Sequence, residues 1–582
     1  MRKLRQDLVP FLRLLHRHWK WMMLGTLFGF ITVAAAVGLL SLSGWFISAT
    51  AVAGLTLTNA QLFNFFYPSI GVRLFAIIRT VCRYGERITS HDATFRILES
   101  LRSWFYKALE PLAPGCLIRY RSGDILNRIV EDIEALENLY LRVLSPSVTA
   151  LLMSLGVTVF LWLFNPVIAL TTLAFLLIAG VGLPRMAMKH GTNAGRELAH
   201  KSTLLRIQIV EGLQGITELL VFGAHGRLLD SVQQHSRELI SNQLKMSHIK
   251  GISTGLIIFF AGMAVATAIY IGVEFVSRDE LGGAILALLG LAVLASFEAI
   301  WPLPIAYQYL GRTQAAARRL REIIDTKPAV IFADHRTPAP SAFDLKFDRV
   351  SFRYSQHMPW AVAGMDFEIP QGQRLAVLGE TGSGKSTLVN LLVRFWEPIG
   401  GRILIGNKDI RSLNESELRR CMAVVSQDAH MFNLSLRENL LLARPEASAE
   451  DLHAALETAQ LSDFVSDLPE GLNTWIGEAG KRLSAGQARR LAVARLVLKD
   501  APLWVLDEPT EGLDIITEQK IMAALYERMA GRTVLMITHR LVNLKGMNHI
   551  ILLENGSIIE QGSHADLLQR ESRYAALMKR IQ

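Results

Sequence analysis

Gly379-Glu380-Thr381-Gly382-Ser383-Gly384-Lys385-Ser386-Thr387 is the stretch that decides the fold. It follows G-x-x-x-x-G-K-[ST], a spacing in which glycines let the backbone wrap so that successive N–H groups point at phosphate oxygens, while the next helix adds its positive N-terminal end. Such a loop needs a strand before it and a helix after it. The apolar run Arg374-Leu375-Ala376-Val377-Leu378 reads as the strand and Thr387-Leu388-Val389-Asn390-Leu391-Leu392 as the helix. The expected ligand is ATP or GTP with Mg2+, Lys385 reaching the β- and γ-phosphates and the Ser386 hydroxyl holding the cation.

Two further runs extend this reading. Leu503-Trp504-Val505-Leu506-Asp507-Glu508 is an apolar strand ending in two carboxylates. Asp507 is expected on Mg2+ through water, and Glu508 is expected to polarise the attacking water as general base. Leu483-Ser484-Ala485-Gly486-Gln487 opens a helix and offers a hydroxyl, backbone N–H groups and a helix N-terminus to a γ-phosphate. From residue 343 onward strands and helices alternate, which predicts an α/β nucleotide-binding domain over 343–582.

The other half of the chain differs in kind. With 582 residues, 51% of them hydrophobic, the chain is too long for one ordinary domain and too apolar for a wholly soluble one. Apolar stretches near the ~20 residues a bilayer needs occur from Trp21 past Gly44 and at about 62–81, 144–164, 167–183, 252–276 and 282–303, predicting six transmembrane helices in a domain spanning 1–325. A linker over 326–342 is marked by Lys327-Pro328 and Thr337-Pro338-Ala339-Pro340. The first span follows a basic segment with Arg2, Lys3, Arg5, Arg13, Arg17 and Lys20, and its apolar core is longer than a signal peptide's, so it reads as a retained span with both chain termini in the cytoplasm. The three outer connections then carry Arg278 as their only Lys or Arg. The inner connections, 82–143 and 184–251, read as helices continuing into the cytoplasm. The net charge of +9 fits basic inner loops better than nucleic acid. Cys82, Cys116 and Cys421 are widely separated, which excludes a disulfide framework or a zinc site.

From residue 343 to the end the chain resembles the ATPase domain of the ATP-binding-cassette (ABC) transporters, with its motifs in the right order. The resemblance implies that Tyr354 stacks on adenine, that Gln427 links Mg2+ to the membrane domain, that Glu511-Gly512-Leu513-Asp514 is the loop between monomers, and that His539 is the switch histidine. In such dimers each ATP lies between one chain's phosphate loop and the other chain's signature, here Ser484, Gly486 and Gln487. Two departures stand out. Ala485 replaces the first glycine of the signature, and Glu511-Gly512 replaces the small residues of the intermonomer loop. The hydrolytic set Lys385, Gln427, Asp507, Glu508 and His539 is intact.

Six spans followed by one ATPase domain resemble an ABC exporter half-transporter. Leu42-Ser43-Gly44-Trp45-Phe46-Ile47-Ser48-Ala49, Arg83-Tyr84-Gly85-Glu86-Arg87-Ile88-Thr89-Ser90-His91-Asp92-Ala93-Thr94-Phe95 and 507–514 are similar to the CydC branch. That resemblance implies a bacterial inner-membrane heterodimer with a CydD-like partner, needed for cytochrome bd assembly, with cysteine, glutathione or haem as substrate. The alternatives are a homodimeric exporter of lipids or hydrophobic drugs, and an ATP-gated channel or regulatory subunit.

The residues add a reading of their own. Arg73 would lie about 17 Å inside the second span at 1.5 Å per residue, where an unpaired charge costs at least ~2.5 kcal/mol. Arg79, Arg83, Arg87 and His91 follow at four-residue spacing, so the five side chains share one arc of roughly 120°. Glu298, in the sixth span at a depth between Arg73 and Arg79, is expected to pair with one of them. These six residues form the candidate substrate site. His91 is a candidate haem ligand, and the arginines are candidates for propionate or glutathione carboxylates.

Overall fold

The computed structural model describes residues 10–11, 13–120, 122–333, 338–477, 480–541, 544–570 and 572–579. The expected basic residues Arg2, Lys3 and Arg5, residue Thr337 of the linker and the C-terminal residues 580–582 lie outside them. The chain divides into two compact units, Met1–Leu112 with Leu117–Lys327, and Ala113–Cys116 with Pro328–Gln582.

The first unit is helical. Its long helices are α1 (Trp19–Ala53), α2 (Phe66–Leu109), α3 (Gly123–Trp162), α4 (Pro166–Gln214), α5 (His225–Ser277) and α6 (Gly283–Ile324). Local chemistry places the turn between α3 and α4: the Asn165 side chain accepts from the N–H groups of Val167 and Ile168 at 2.8 and 3.1 Å, and Pro166 enters the first turn, where a missing N–H costs nothing. Neighbouring helices meet through small residues. A Cβ at Gly311 on α6 would lie 2.6 Å from the Thr192 carbonyl oxygen of α4, so only glycine allows that approach.

Five of the six helices, α1 and α3 to α6, are long and apolar enough to cross a membrane. The expected span at 62–81 is instead the first part of α2, which fails on composition because Arg73, Arg79, Arg83, Glu86 and Arg87 crowd its first half. The expected inner extensions are helical: α2 continues to Leu109 and α4 to Gln214, and α5 begins at His225.

Charged side chains tie these helices together. Asp132 of α3, nearly fully buried, takes a two-pronged hydrogen bond from the guanidinium of Arg319 on α6. Arg79 of α2 donates to Glu298 of α6 at 2.9 Å. Glu298 sits in a tight turn, Phe297–Ala299, just before Pro302, whose missing N–H interrupts the helix there. Both side chains of the pair are about a third exposed, 30% and 39%. Glu298→Ala and Arg79→Ala should each lower the thermal stability of the full-length chain. The double variant should recover a coupling of about 1 kcal/mol, the low part of the usual range for contacting residues. Strictly additive losses would show that the contact carries no stability.

The second unit holds two sheets. One has four strands, β2 (Val362–Ile369), β1 (Leu345–Phe352), β4 (Gly400–Ile405) and β5 (Lys408–Asp409), in that order. The other has six, in the order β10 (Ser557–Gly562), β9 (His549–Glu554), β3 (Arg374–Gly379), β8 (Thr533–Ile537), β7 (Leu503–Asp507) and β6 (Met422–Val425), all parallel except β10. Strand β3 is buried on both faces and reads as a continuous apolar run for that reason. Leu375 and Val377 point into the core shared with the small sheet, while Ala376 and Leu378 point into the core under the helices. The helices that bear on function are α7 (Lys385–Leu392), α8 (Ala485–Lys499) and α10 (Arg573–Lys579), with α9 (Ile515–Arg528) between the last two.

Candidate functional site

A pocket of about 900 Å³ opens at the carboxyl ends of these strands. Parallel pairing sets it up: Val377 of β3 and Asp507 of β7 both lie opposite Ile537 of β8, so the loops that leave the three strands emerge level with one another. The loop after β3 turns through Gly382 at φ +84° and Gly384 at φ +101°. At Gly384 a Cβ would lie 2.1 Å from the Ala361 carbonyl oxygen, so both backbone conformation and space demand glycine. Lys385 begins α7, and its ammonium donates to the carbonyls of Gly379 and Glu380, each at 2.8 Å. One N–H is left for an anionic oxygen.

Of the residues expected to hold ATP, the pocket is lined by Tyr354, by Gly379 to Thr387 except Ser383, and by Gln427, Glu508 and His539. Ser383 is buried beneath the loop. The Tyr354 hydroxyl lies 3.2 Å from Thr387 Oγ1, and its ring meets Trp396 edge to face at 5.5 Å. That packing fixes the ring while leaving it partly open to the pocket.

Glu508 stands at φ +51°, a strained backbone for a residue with a side chain, and its N–H donates to the Ile537 carbonyl at 2.9 Å. Its carboxylate is 2.9 Å from His539 Nδ1. Burial raises the Glu508 carboxyl, but the hydrogen bond and charge of His539, aided by Glu511 and Lys385, outweigh this and hold it below the ordinary range. It is therefore ionised at neutral pH, as a proton acceptor must be. Asp507 is the opposite case. Burial and the neighbouring Glu508 charge push it up to about 6, against a hydrogen bond from Ser386 and the charge of Lys385.

These residues suit a divalent cation. Asp507 Oδ1 is buried and, among the described residues, has no hydrogen-bond partner, and the Ser386 hydroxyl and the exposed Gln427 amide add hard oxygen donors. Burial lowers Lys385, with the charges of Glu508 and Asp507 opposing.

The signature residues lie elsewhere on the same unit. Ser484 caps α8 in a reciprocal box with Gln487, at 2.8 and 3.1 Å, and Ser484 and Ala485 are exposed and are not among the residues lining the pocket. Sequence reading missed the far wall of the pocket, built by Glu554, Ile559, Arg573 and Leu577. Arg573 pairs with Glu554 and reaches to 3.9 Å from Glu380. The signal is one of pairing: Leu553 of β9 lies opposite Gly379, which sets Glu554 beside the loop across 175 residues of chain. Glu511 lines the pocket as well, paired with Arg489 of α8 at 3.4 Å.

In the first unit, Arg73, Arg83, Arg87 and His91 are exposed along α2, and among the described residues they form no ion pair. Arg79 alone of the stripe is paired, with Glu298. His91 lies 6.4 Å from the Phe95 ring, centroid to centroid. Among the described residues no disulfide joins the three cysteines; Cys421 is buried and the other two are half-buried.

The raised Asp507 carboxyl carries a sign that can be measured. Its folded pKa lies above the ordinary carboxylate value, so its ionised form opposes folding at neutral pH, and that opposition fades as pH falls through about 6. Without Mg2+ and nucleotide, Asp507→Asn should therefore make the full-length chain more stable than wild type at pH 8, by up to about 3 kcal/mol for a shift near two units. The gap should close between pH 7 and 4. A gap that does not change with pH in thermal melts would refute the assignment.

Comparison with known proteins agrees with both units. The family pattern described as ABC transporter matches residues 362–511, and that of the ABC transporter transmembrane region matches residues 22–294. The glutathione/L-cysteine transport system ATP-binding/permease protein CydC of Escherichia coli (strain K12) is 42% identical over 97% of this chain and 98% of its own. CydC of Haemophilus influenzae is 36% identical over 98% of each chain. A solved structure of a bacterial Atm1-family ABC exporter with ATP bound matches with a TM-score of 0.82 at 25% identity, over 97% of this chain and 98% of that one. The helices long enough to cross a membrane make this a multi-pass membrane protein, and its second unit an ATP-binding one. The chain belongs to the ABC transporter family, as an ATP-hydrolysing exporter that resembles CydC.

Proposed function

We propose that the chain is the CydC-like half of a heterodimeric exporter in the bacterial inner membrane, with a CydD-like half as partner and both termini in the cytoplasm. Helix α2 completes a set of six spans in this reading, since its 44 residues reach about 66 Å and its exposed charges would face a polar interior of the dimer. The ATPase half begins near residue 343. Its phosphate loop, Gly379 to Thr387, and Tyr354 hold ATP, and Ser484, Gly486 and Gln487 serve the ATP bound to the partner. Bound Mg2+ neutralises charge on the β- and γ-phosphates, and Ser386, Gln427 and Asp507 would hold it. Lys385 binds phosphate oxygens, Glu508 takes the proton of the attacking water, and His539 orients Glu508 through their 2.9 Å contact. Glu508→Gln keeps the shape but cannot accept the proton. It should bind ATP with normal affinity and lose at least ~100-fold in this site's turnover, read as ATPase activity of the purified dimer. Undiminished turnover would assign hydrolysis to the partner's site alone.

The substrate reading rests on the exposed Arg73, Arg83 and Arg87 with His91 beyond them, a face that favours an anionic cargo over the lipids or hydrophobic drugs of a homodimeric exporter. The hydrolytic set argues against a channel or regulatory subunit, for which nucleotide binding would suffice. Glutathione and cysteine fit the cations and the function named for the Escherichia coli relative. Haem fits the same face through His91, because a neutral imidazole binds iron while guanidiniums pair with propionates. Haem added to the purified heterodimer should give a Soret band that shifts or weakens in His91→Ala while basal ATPase survives. An unchanged spectrum would remove His91 as a ligand, and loss of glutathione or cysteine transport in Arg87→Ala would then assign the face to thiols.

A further inference from the structure

A groove of about 470 Å³ runs between α1 and α3, and none of its lining residues belongs to α2. Its walls are apolar side chains, among them Leu27 and Phe30 of α1 and Val148 and Leu152 of α3, and His16 and Trp19 stand at one end. The polar groups in its floor are used internally: Thr26 Oγ1 donates to the Met22 carbonyl at 2.9 Å, and the Tyr140 hydroxyl donates to the same carbonyl at 3.0 Å. What fills the groove must therefore be apolar along its length.

Two magnitudes narrow the occupant. From Trp19 to Phe30 the groove follows α1 for about 16 Å, half of the ~30 Å hydrocarbon thickness, which is the depth of one leaflet. Over that length, a volume of about 470 Å³ leaves room for one extended hydrocarbon chain. The mouth is chemically marked as well. Trp19 and Trp21 lie at the same end, where an aromatic belt meets the lipid headgroups. Arg13, His16, Arg17 and Lys20 are exposed there, residues 8–85 contain no Asp or Glu, and none of the lining residues is acidic.

We propose that this groove holds one acyl chain of an anionic membrane phospholipid, whose phosphate is held by the basic cluster Arg13, His16, Arg17 and Lys20. The site rests on the membrane placement of α1 and α3 and is independent of the transported substrate. Native mass spectrometry of the full-length chain tests it, using phosphatidylglycerol and phosphatidylcholine with identical chains. Phosphatidylglycerol should be retained about fivefold more than phosphatidylcholine, the gain one nearby basic residue gives an anionic lipid. Val148→Trp, which fills the groove, should abolish retention of both, and Leu27→Trp on the opposite wall should do the same if Val148→Trp fails to fold. Arg13→Ala, Arg17→Ala and Lys20→Ala together should remove the preference for phosphatidylglycerol while leaving a lipid bound. Val159→Trp, on exposed α3 surface outside the groove, should retain lipid as wild type does. Equal retention of the two lipids would overturn the headgroup assignment. Loss in Val159→Trp equal to that in Val148→Trp, or undiminished retention in Val148→Trp, would overturn the groove.

Discussion

The register of three parallel strands is the constraint on which the ATP site depends. Val377, Ile537 and Asp507 stand side by side across β3, β8 and β7, and β6 continues the set with Val425 opposite Leu506. Because their carboxyl ends are level, the phosphate loop, Asp507 with Glu508, His539 and Gln427 all emerge at one edge, the usual place for a ligand in an open α/β sheet. A slip of one residue in β7 would send Asp507 to the opposite face of the sheet and break the 2.9 Å contact between Glu508 and His539. The burial that fixes this register also shifts the two adjacent carboxyls apart. Asp507, inside the sheet, is driven upward, while Glu508, just past its edge and facing His539, is held down. Two neighbouring carboxylates thereby acquire different chemistry without any difference in residue type between their surroundings in sequence.

Helix α2 poses the opposite problem, since charge sits where an apolar helix is expected. A lone arginine at the centre of a bilayer costs about 2.5–3.5 kcal/mol even by the lower estimates, so such residues persist only with a partner or a polar surface. Arg79 has a partner in Glu298. Arg73, Arg83 and Arg87 instead share one exposed face, which implies that the face meets water, cargo or another chain and not acyl tails. The same residues that make α2 a candidate substrate wall are the ones that lower its apolarity below that of a plain span.

Legibility in the sequence followed the range of the interaction. The phosphate loop, the strand before it and the acidic strand end are local patterns, and each was readable because glycine conformation and apolar runs are properties of a few consecutive residues. The Arg79 to Glu298 contact was half legible: helical rise gave comparable depths but could not choose between Arg73 and Arg79, a choice that depends on how α2 and α6 pack. The wall formed by Glu554, Arg573 and Leu577 was not legible, because it depends on β9 pairing with β3 and on α10 folding back over the strand ends. Helix α2 shows the same limit from the other side: five helices are apolar enough to cross a membrane by composition, and the sixth expected span, at its start, is not among them. A hydrophobic window at 62–81 takes each arginine as a local cost and has no term for the partner that offsets it.

Glu511 shows how one side chain can tie separate parts of a site together. The loop that holds it turns at Gly512, φ +77°, and the Glu511 N–H donates to the Glu508 carbonyl at 3.2 Å, so its backbone is tied to the catalytic residue. Its side chain then reaches Arg489 on α8 at 3.4 Å, and Arg489 also donates to the Ser426 carbonyl at 3.0 Å, next to Gln427. A small residue at 511 could make the first of these contacts but not the second. One guanidinium, only 12% exposed, therefore joins the loop after β7, the signature helix and the segment bearing Gln427 within a single chain. Since Ser484 caps the same helix, the orientation of that helix start is mechanically linked to the geometry around Glu508. With a small residue at this position the guanidinium would lose its contact with the loop after β7.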